Sequence, residues 1–599
     1  MMDALHTSPA AEVKEEQFEE LEKKSFYSRF IKAKIPYLGE FAITFALFFV
    51  RFLYYGWQYF YQLDDYIQYH NYTEYFALRM STLWEYVADY LGLFAARPLA
   101  AFGDIYIISN FFSSMIVVVL ALSLMYAATS VIFRHIFNKL FGTGYFFTLV
   151  FCLMPLAFEG LYWVSASSRI IPSLFFTALA ALFMLKVVEE QKIRYAFLFA
   201  GAQILSFCYY EQITVISIVI TALIAIIKRN KYSMTALLIL ANILLYGLYS
   251  QIATMLWDGG IYAARSEITL PFITKDYFTT VFPSATGQIL QASGAFMPLA
   301  CGKALWRGIK LIIADRAIVY LLAVALLSAA CGFLLMRFGK CERAEKKKVI
   351  GALICGALLA IAPLAPFYIL KSSWIGVRAI VPSLCGVALM LDALFTLILR
   401  GKRKIAFSII TGLVFICCIA SVSEIHDYRQ VTEFDTATAN LVIEAVNDTF
   451  DEGETDETTE IAILNIGATS LPHQNYLHHE HVASATGAKW SMTGLLRCLS
   501  GNGNFPNVTA MPVDENGCFY YAAHGDSYRL ENYDYVFVAS GDEVIRVTPA
   551  KGYTEDDFVS ENGERPSFNY DSFLLYTDDI IRLARVAEYS YYGTFELYQ

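Results

Sequence analysis

The sequence predicts a polytopic α-helical membrane protein of about 11 spans, joined to a small α/β or α+β domain outside the membrane. Hydrophobic residues make up 57% of the 599 residues, and the mean hydropathy is +0.46. Apolar runs of at least ~18 residues, long enough to cross a bilayer as a helix, recur through the first three quarters of the chain. Charge then divides the molecule. Residues 424–599 contain 30 acidic and 9 basic residues, a net charge of −21, which leaves a net charge of +11 for residues 1–423.

The predicted spans follow one another within residues 37–423, the predicted transmembrane domain. Residues 1–36 come before them and place Glu and Lys four residues apart, which is typical of a solvated cytoplasmic helix. No cleavable signal peptide is expected, because the first apolar run is long enough to remain as an anchor. Apolar runs between charged or polar loops predict spans at 37–57, 105–133, 144–162, 170–187, 195–208, 212–228, 232–254, 316–337, 349–368, 379–399 and 405–423.

Basic residues in the short loops predict the orientation. With eleven spans, every basic cluster falls on the side of the N-terminus, which is therefore predicted to be cytoplasmic. The outer loops 58–104 and 255–315 and the acidic domain 424–599 then lie outside. This arrangement predicts a multi-pass protein of the cell (plasma) membrane with an extracytoplasmic C-terminal domain.

Two adjacent carboxylates, Asp64 and Asp65, follow the first predicted span. Anions at a membrane boundary are costly unless water, a partner or a function keeps them there, so the pair is a candidate site. The structural alternative is that they cap and begin an interfacial helix running on from Tyr66. Further along this loop, apolar residues at helical spacing over 79–94 predict an amphipathic helix, either in the membrane interface or packed in the core.

Further charged residues lie at the outer ends of the predicted spans, on the same side as the two aspartates. Arginine precedes a Pro-Ser pair in both Arg169-Ile-Ile-Pro-Ser and Arg378-Ala-Ile-Val-Pro-Ser. Each arginine is expected either to snorkel to the membrane surface or pair with a local carboxylate, or else to bind a ligand phosphate through its fork of donors. No comparable set of buried carboxylates is expected on the cytoplasmic side. The outer set comprises Arg97, Asp104, Glu159, Arg169, Glu211, Lys371 and Arg378.

A carboxylate beside arginines at a membrane surface suits transfer from a phosphate-bearing lipid. As a general base, a carboxylate takes the proton of an attacking hydroxyl and contributes roughly 10²–10⁴-fold. Arginines would hold and neutralise the phosphate that leaves. Because successive residues point in different directions, one of Asp64 and Asp65 is expected to act on the acceptor while the other orients a partner or a helix end.

Taken together, these features resemble the GT-C glycosyltransferases, especially the bacterial polyprenyl-phosphate-sugar-dependent group that includes GtrII-type glucosyltransferases. The likeness covers about residues 37–423. It implies that Asp64 is the catalytic base, with Asp65 as the alternative, and that Arg169 or Arg378 binds the donor phosphate. Arg97, Glu159, Glu211 and Lys371 match by location only. The Asp-Asp pair departs from the Asp-Glu pair of better known members, and no Trp-Trp-Asp motif is present, which argues against protein N-glycosylation.

The implied partners are a polyprenyl-phosphate sugar donor, the lipid bilayer and a glycan, lipid or cell-wall polymer as acceptor. Nucleotide sugars are cytoplasmic, and the sequence has no Gly-rich nucleotide loop, so a lipid-linked donor suits an outer site. No nucleic-acid partner is expected. No cofactor is implied, although a carboxylate pair is compatible with a divalent metal ion.

The acidic tail mixes helical and strand signals. Alternating apolar residues predict short strands at 461–466, 535–538, 544–547 and 573–576, with a helix at 434–450. His478 and His481 belong to the densest histidine cluster, expected as a surface or acceptor-facing segment, with a metal site as the alternative. Trp490 nearby is predicted to stack on a sugar. Cys498 and Cys518 are left either paired or free, because spacing does not fix their geometry.

Two other functions remain open. A transporter or flippase of lipid-linked sugars would need the same arginines, but with polar residues in both leaflets. An envelope polysaccharide polymerase or ligase would centre its chemistry on the 255–315 loop. The concentration of charge at one face favours the transferase.

Overall fold

The structure, a computed structural model, shows a mostly helical chain with a small mixed sheet near its C-terminus. Six helices in the described part are long and apolar enough to cross a membrane, so the chain is a helical membrane protein. The described residues are 36–71, 97–154, 158–228, 233–256, 277–294, 298–338, 345–370, 375–399, 402–451, 453–464, 466, 483–511, 518–519, 533–540, 543–549, 572–577, 580–589 and 592–597.

The six long helices are joined by shorter apolar helices. Every predicted span coincides at least in part with a helix, while their number as true membrane crossings stays a prediction. In chain order the helices are α1 (Pro36–Leu53), α2 (Pro98–Tyr106), α3 (Ile108–Phe141), α4 (Tyr145–Leu153), α5 (Val164–Glu190), α6 (Ile193–Phe207), α7 (Glu211–Ile227), α8 (Ser233–Leu256), α9 (Phe282–Gly294), α10 (Pro298–Ala314), α11 (Ile318–Phe338), α12 (Lys346–Ile361), α13 (Val377–Leu399), α14 (Arg403–Thr449) and α15 (Lys489–Ser500).

The predicted third span is interrupted. Over 144–162 the chain forms α4, which has nine residues, and then a separate turn at Phe158–Leu161. At about 1.5 Å per residue, α4 reaches only about 14 Å, roughly half the hydrocarbon thickness. Pro155 explains where α4 ends, because a proline disfavours helical geometry in the residue before it, and Met154 has left that geometry with ψ 112°.

The last span and the first helix of the tail are one element. The sequence predicted a span at 405–423, a domain boundary at 424 and a helix at 434–450, whereas α14 runs unbroken through 47 residues. No glycine or proline occurs between Gly412 and the end of α14, so nothing in the sequence breaks the helix. The membrane part and the tail are therefore joined by a rigid rod rather than by a loop.

The helices pack through an extensive core around α3 and α5. Phe133, Ile171 and Leu174 are among its fully buried side chains. Helices α12 and α13 cross closely at two glycines, where a Cβ on Gly386 would lie 2.2 Å from the backbone oxygen of Gly356. Small residues let membrane helices approach in this way, because packing rather than hydrophobic burial drives their association. The first turn of α5, starting at Val164, is buried in this core.

The tail contains an eight-stranded mixed sheet in the order β2-β1-β4-β5-β6-β7-β8-β3. The four predicted strands are confirmed as β1, β4, β5 and β6. β1 pairs in parallel with β2 and β4, and the other pairs are antiparallel. The strands are β1 (Glu460–Leu464), β2 (Asn507–Met511), β3 (Cys518–Phe519), β4 (Tyr535–Ser540), β5 (Glu543–Pro549), β6 (Ser572–Thr577), β7 (Ile580–Tyr589) and β8 (Tyr592–Leu597).

Candidate functional site

The Asp65 carboxylate is fully buried and holds the loop after α1 against the start of α5. Its Oδ2 accepts hydrogen bonds from the Tyr59 hydroxyl at 2.8 Å and from the backbone N–H of Gln62 at 2.9 Å. Its Oδ1 accepts from the Ser165 hydroxyl at 2.7 Å and the Ser165 N–H at 3.3 Å. With four donors on two oxygens and no exposed surface, Asp65 is a structural anchor.

Burial also changes the protonation of this group. Removal from water raises the pKa of the Asp65 carboxyl to about 7, although hydrogen bonds from Ser165, Gln62 and Tyr59 oppose the rise. Desolvation disfavours the charged form, while donors favour it. A molecule that enters from solvent cannot contact this buried carboxyl.

Asp64 has a different environment. Leu63, the residue before it, has a φ of 39°, a region that side-chain-bearing residues rarely adopt and that costs about 1–3 kcal/mol. The strained turn leaves Asp64 half-buried, at the first position of a short helix that continues to Asn71. Its Oδ1 accepts a hydrogen bond from Trp490 Nε1 at 2.9 Å. Both aspartates thus lie in the first turn of a helix, as the structural alternative expected, but Leu63 rather than an aspartate is the N-cap residue. Asp64 is the more accessible carboxylate.

Arg169 lies one turn along α5 from Ser165 and faces the same loop. Its Nη2 donates to Gln68 Oε1 at 3.1 Å and lies 3.5 Å from Oδ2 of the buried Asp104. Burial raises the pKa of Asp104, and the Arg169 charge opposes the rise. Both contacts use Nη2, so within the described part of the chain the Nε and Nη1 side of the fork has no carboxylate against it.

The start of α13 brings Arg378 against Trp163, the residue that precedes α5. Its guanidinium lies 5.1 Å from the centre of the Trp163 ring, and its Nε lies 3.9 Å from the buried Glu159 Oε1, which also accepts from the Arg378 N–H. Trp163 in turn donates through Nε1 to the Gln62 carbonyl at 3.3 Å. Trp163 thus links Arg378 to the turn that carries the aspartates.

The remaining predicted site residues divide into two groups. The Arg97 guanidinium stacks on Tyr210 at 4.7 Å, so it lies beside the start of α7, where Glu211 is the first residue. The side chain of Glu211, and Lys371, His478 and His481, lie outside the described residues, as do the predicted helix at 79–94 and the tail 1–35.

Buried carboxylates also occur at the opposite ends of the helices, and here the sequence expectation was wrong. Glu40, near the start of α1, is buried and forms an ion pair with Arg134 of α3, while Thr148 donates to it at 2.9 Å. Asp392, near the end of α13, accepts from the N–H groups of Gly144 and Phe147 at 2.9 and 3.1 Å and so caps α4. Glu40 is separated from other charges in the sequence, so its long-range partner was not visible.

Another buried charge that the sequence analysis missed is Arg51. Arg51 of α1 is fully buried, with Phe48, Phe52 and Phe158 ring centres 5.1–5.5 Å from its guanidinium. Its Nη1 and Nη2 donate no hydrogen bond within the described chain. An ionisable residue inside an apolar run was the available signal. Tyr59 and Ser165 were also missed, because only the fold brings them to Asp65.

The described residues contain no group of three metal-binding side chains. The histidine cluster lies outside them, so the metal alternative for that segment stays a prediction. Cys498 is a free, partly buried thiol.

The site therefore combines one accessible carboxylate, one buried carboxylate and two arginines around the first turn of α5. An anion and a nucleophilic hydroxyl are the groups that this set of side chains can bind and activate. No protein-family model and no curated protein matches this chain.

Proposed function

We propose that the protein transfers a sugar from a polyprenyl-phosphate-linked donor to an acceptor hydroxyl at the extracytoplasmic face of the cell membrane. The observation that carries the proposal is that the loop bearing Asp64 packs against the start of α5, where Arg169 bonds Gln68 of that loop and Arg378 stacks on Trp163. Asp64 is half-buried beside Trp490, and the two arginines come from helices that are about 200 residues apart in the chain. Acid–base and anion-binding groups carried by neighbouring elements are candidates for an active site.

Asp64 supplies the base. The acceptor hydroxyl oxygen attacks the anomeric carbon of the donor and forms the new C–O bond, while the bond from that carbon to the phosphate oxygen breaks. The hydroxyl proton passes to Asp64, and polyprenyl phosphate leaves with the electron pair of the broken bond. Asp65 takes no part in this transfer, because its oxygens are already occupied by Tyr59, Gln62 and Ser165.

The arginines hold the phosphate. Arg169 has no carboxylate of the described chain against the Nε and Nη1 side of its fork, and Arg378 is one-third exposed. We assign both arginines to the donor phosphate, with the buried Asp104 and Glu159 left in place. Those carboxylates fix the arginines in place before the donor binds, which reduces the entropy lost on binding. Arg97 is assigned to the edge of the donor site, beside Tyr210.

Transport of a lipid-linked sugar is the second candidate, and one observation favours it. Glu40, Arg134 and Asp392 place buried charge at the ends of the helices away from Asp64, so polar groups are not confined to one face. These groups are engaged in the Glu40–Arg134 pair and in capping α4, which gives them a structural role. The transferase therefore remains the better supported function.

One experiment separates the two functions. The full-length protein is reconstituted in liposomes with polyprenyl-phosphate-[14C]glucose as the probe donor, and both transfer to methyl glycosides and movement of the intact donor between leaflets are measured. We expect transfer, and we expect Arg169→Ala and Arg378→Ala each to lower kcat/KM for the donor at least about tenfold, with donor KM rising. Arg194→Ala, at an exposed arginine of α6, is the matched control.

Leaflet-to-leaflet movement of intact donor without transfer would contradict the transferase. Normal donor kcat/KM in both arginine variants would contradict the assignment of the phosphate site. If substitutions within 255–315 abolish transfer while substitutions of Asp64 leave it intact, the result would instead support a polymerase or ligase.

A further inference from the structure

A tryptophan of the C-terminal domain reaches the carboxylate that we assign as the base. Trp490 is the second residue of α15, and its Nε1 donates to Asp64 Oδ1 at 2.9 Å. In the described part of the chain, Asp64 Oδ2 accepts no hydrogen bond. Trp490 as a whole residue is 38% exposed, so the side chain that bonds Asp64 is only partly covered.

Buried packing fixes this contact in place. Tyr66, two residues after Asp64, is 3% exposed and belongs to the same apolar core as Met492 and Leu495 of α15 and Val442 of α14. The loop that carries the aspartates is therefore part of the core of the C-terminal domain. A side chain held this way does not depend on a surface contact for its position.

Hydrogen bonds with α14 hold both the turn that carries Asp64 and the segment before α15. The Gln62 side chain donates to the Tyr428 carbonyl and to the Thr432 hydroxyl, both at 3.2 Å, and Thr432 donates to the Tyr61 carbonyl at 3.0 Å. Asp435, one turn further along, accepts from the Ala485 N–H at 2.8 Å. One rigid helix thus sets the aspartate turn on one side and the segment leading into α15 on the other.

We infer that Trp490 positions the Asp64 carboxylate and that its exposed ring forms the acceptor subsite, which binds a sugar ring. This inference rests on the function proposed above. A general base must lie within hydrogen-bond reach of the hydroxyl that it deprotonates. A group bonded to Asp64 is therefore beside the acceptor, and an amphipathic indole offers an apolar face and a donor at once.

The hydrogen bond and the ring have separable effects. The Trp490 N–H holds Oδ1 of Asp64, so Oδ2 takes the proton of the acceptor hydroxyl. Removal of the N–H alone therefore lowers the rate of the chemical step. The ring contacts the acceptor, and its removal weakens acceptor binding. The C-terminal domain then determines which acceptor is used.

Trp490→Phe and Trp490→Ala distinguish these effects in the full-length protein in liposomes, with polyprenyl-phosphate-[14C]glucose as donor and methyl glycosides as acceptors. We expect Trp490→Phe to lower kcat about tenfold with acceptor KM within about twofold of wild type. We expect Trp490→Ala to lower kcat similarly and to raise acceptor KM about tenfold as well. Donor KM stays unchanged in both, and Trp306→Phe, at a 60% exposed tryptophan of α10, keeps wild-type kinetics.

Wild-type values of kcat and acceptor KM in both Trp490 variants would overturn the inference. Faster transfer by Trp490→Ala, or a fall in kcat for Trp306→Phe equal to that of the Trp490 variants, would also overturn it.

Fluorescence gives a readout that needs no turnover. Titration with methyl glucoside is expected to change the emission of the wild type and to leave that of Trp490→Phe unchanged, and equal responses would also overturn it. Sugar-dependent fluorescence without transfer would contradict the transferase while keeping the subsite.

Discussion

Asp64 and Asp65 carry the same side chain in adjacent positions, yet their surroundings differ. The Asp65 carboxylate accepts from Tyr59, Gln62 and Ser165, whereas among the described residues Asp64 accepts a hydrogen bond only from Trp490. The sequence singled out the pair and favoured Asp64. It also expected the two to have different roles, but it could not show that Asp65 is the buried one, because Ser165 is 100 residues away and becomes a neighbour of Asp65 only through the packing of α5.

Replacement of Asp65 is expected to lower stability more than replacement of Asp64. In Asp65→Asn the amide NH₂ faces N–H and O–H groups whose hydrogen bonds the carboxylate had accepted. A buried polar group left without a partner costs about 1–3 kcal/mol. Thermal unfolding of the full chain in detergent at pH 7.5 measures the effect, with Asp64→Asn as the matched control. Equal unfolding temperatures for the two variants would show that Asp65 is not an anchor.

The same side chain predicts a pH dependence. The folded-state pKa of Asp65 is about 7, above the ordinary value of about 3.9 for an unfolded chain, so between these pH values the folded state binds more protons. Stability from this group is therefore fully present below about pH 4 and is lost as the pH rises through about 7. The difference in unfolding temperature between wild type and Asp65→Asn, taken at several pH values, should change across this window. A constant difference would contradict the raised pKa.

At the scale of elements, hydropathy located the helices well and their ends poorly. The runs at 105–133 and 170–187 correspond to α3 and α5. α5 extends beyond its run at both ends, whereas α3 begins at Ile108, inside its run, and continues to Phe141. Apolar composition could not show that α4 stops at Leu153, although Pro155 was the signal. It also could not show that α14 continues for 26 residues beyond the predicted end of the span, because charge appears there without any helix-breaking residue.

The crossing of α12 and α13 provides a test of element packing. A methyl group on Gly386 would meet the Ala360 N and the Gly356 O at 2.2 Å, both backbone atoms, so the helices would have to separate. Gly386→Ala is expected to lower stability by about 1–3 kcal/mol, as overpacking does. Gly201→Ala on α6, where no heavy atom lies within 4 Å, is the control. Thermal unfolding in detergent measures both, and equal stability of the two variants would contradict the close crossing.

At the scale of the whole molecule, the sequence correctly separated an apolar helical part from an acidic tail that contains strands. It treated them as independent, whereas α14 passes through both and Tyr66 lies in the core of the tail. Contacts between segments almost 400 residues apart leave no periodic pattern in the sequence. The orientation still rests on the distribution of Lys and Arg.

Fusion of reporters after Gln599 tests that orientation. Because Trp490 contacts Asp64, the tail and the proposed site lie on one side of the membrane, predicted to be the outside. Alkaline phosphatase fused at this position is expected to be active, since it folds only after export, and a cytoplasm-restricted fluorescent protein is expected to be dark. The reverse pattern would place the site in the cytoplasm and remove the reason for a lipid-linked donor.

The most direct test is sugar transfer by Asp64→Asn and Asp65→Asn, each assayed in liposomes with polyprenyl-phosphate-[14C]glucose at equal amounts of folded protein. Loss of the general base predicts a fall in kcat of at least about 10²-fold for Asp64→Asn with an unchanged unfolding temperature. Asp65→Asn is expected to keep transfer per folded molecule within about tenfold of wild type while unfolding at a lower temperature. Full transfer by Asp64→Asn would contradict the assignment of Asp64 as the base.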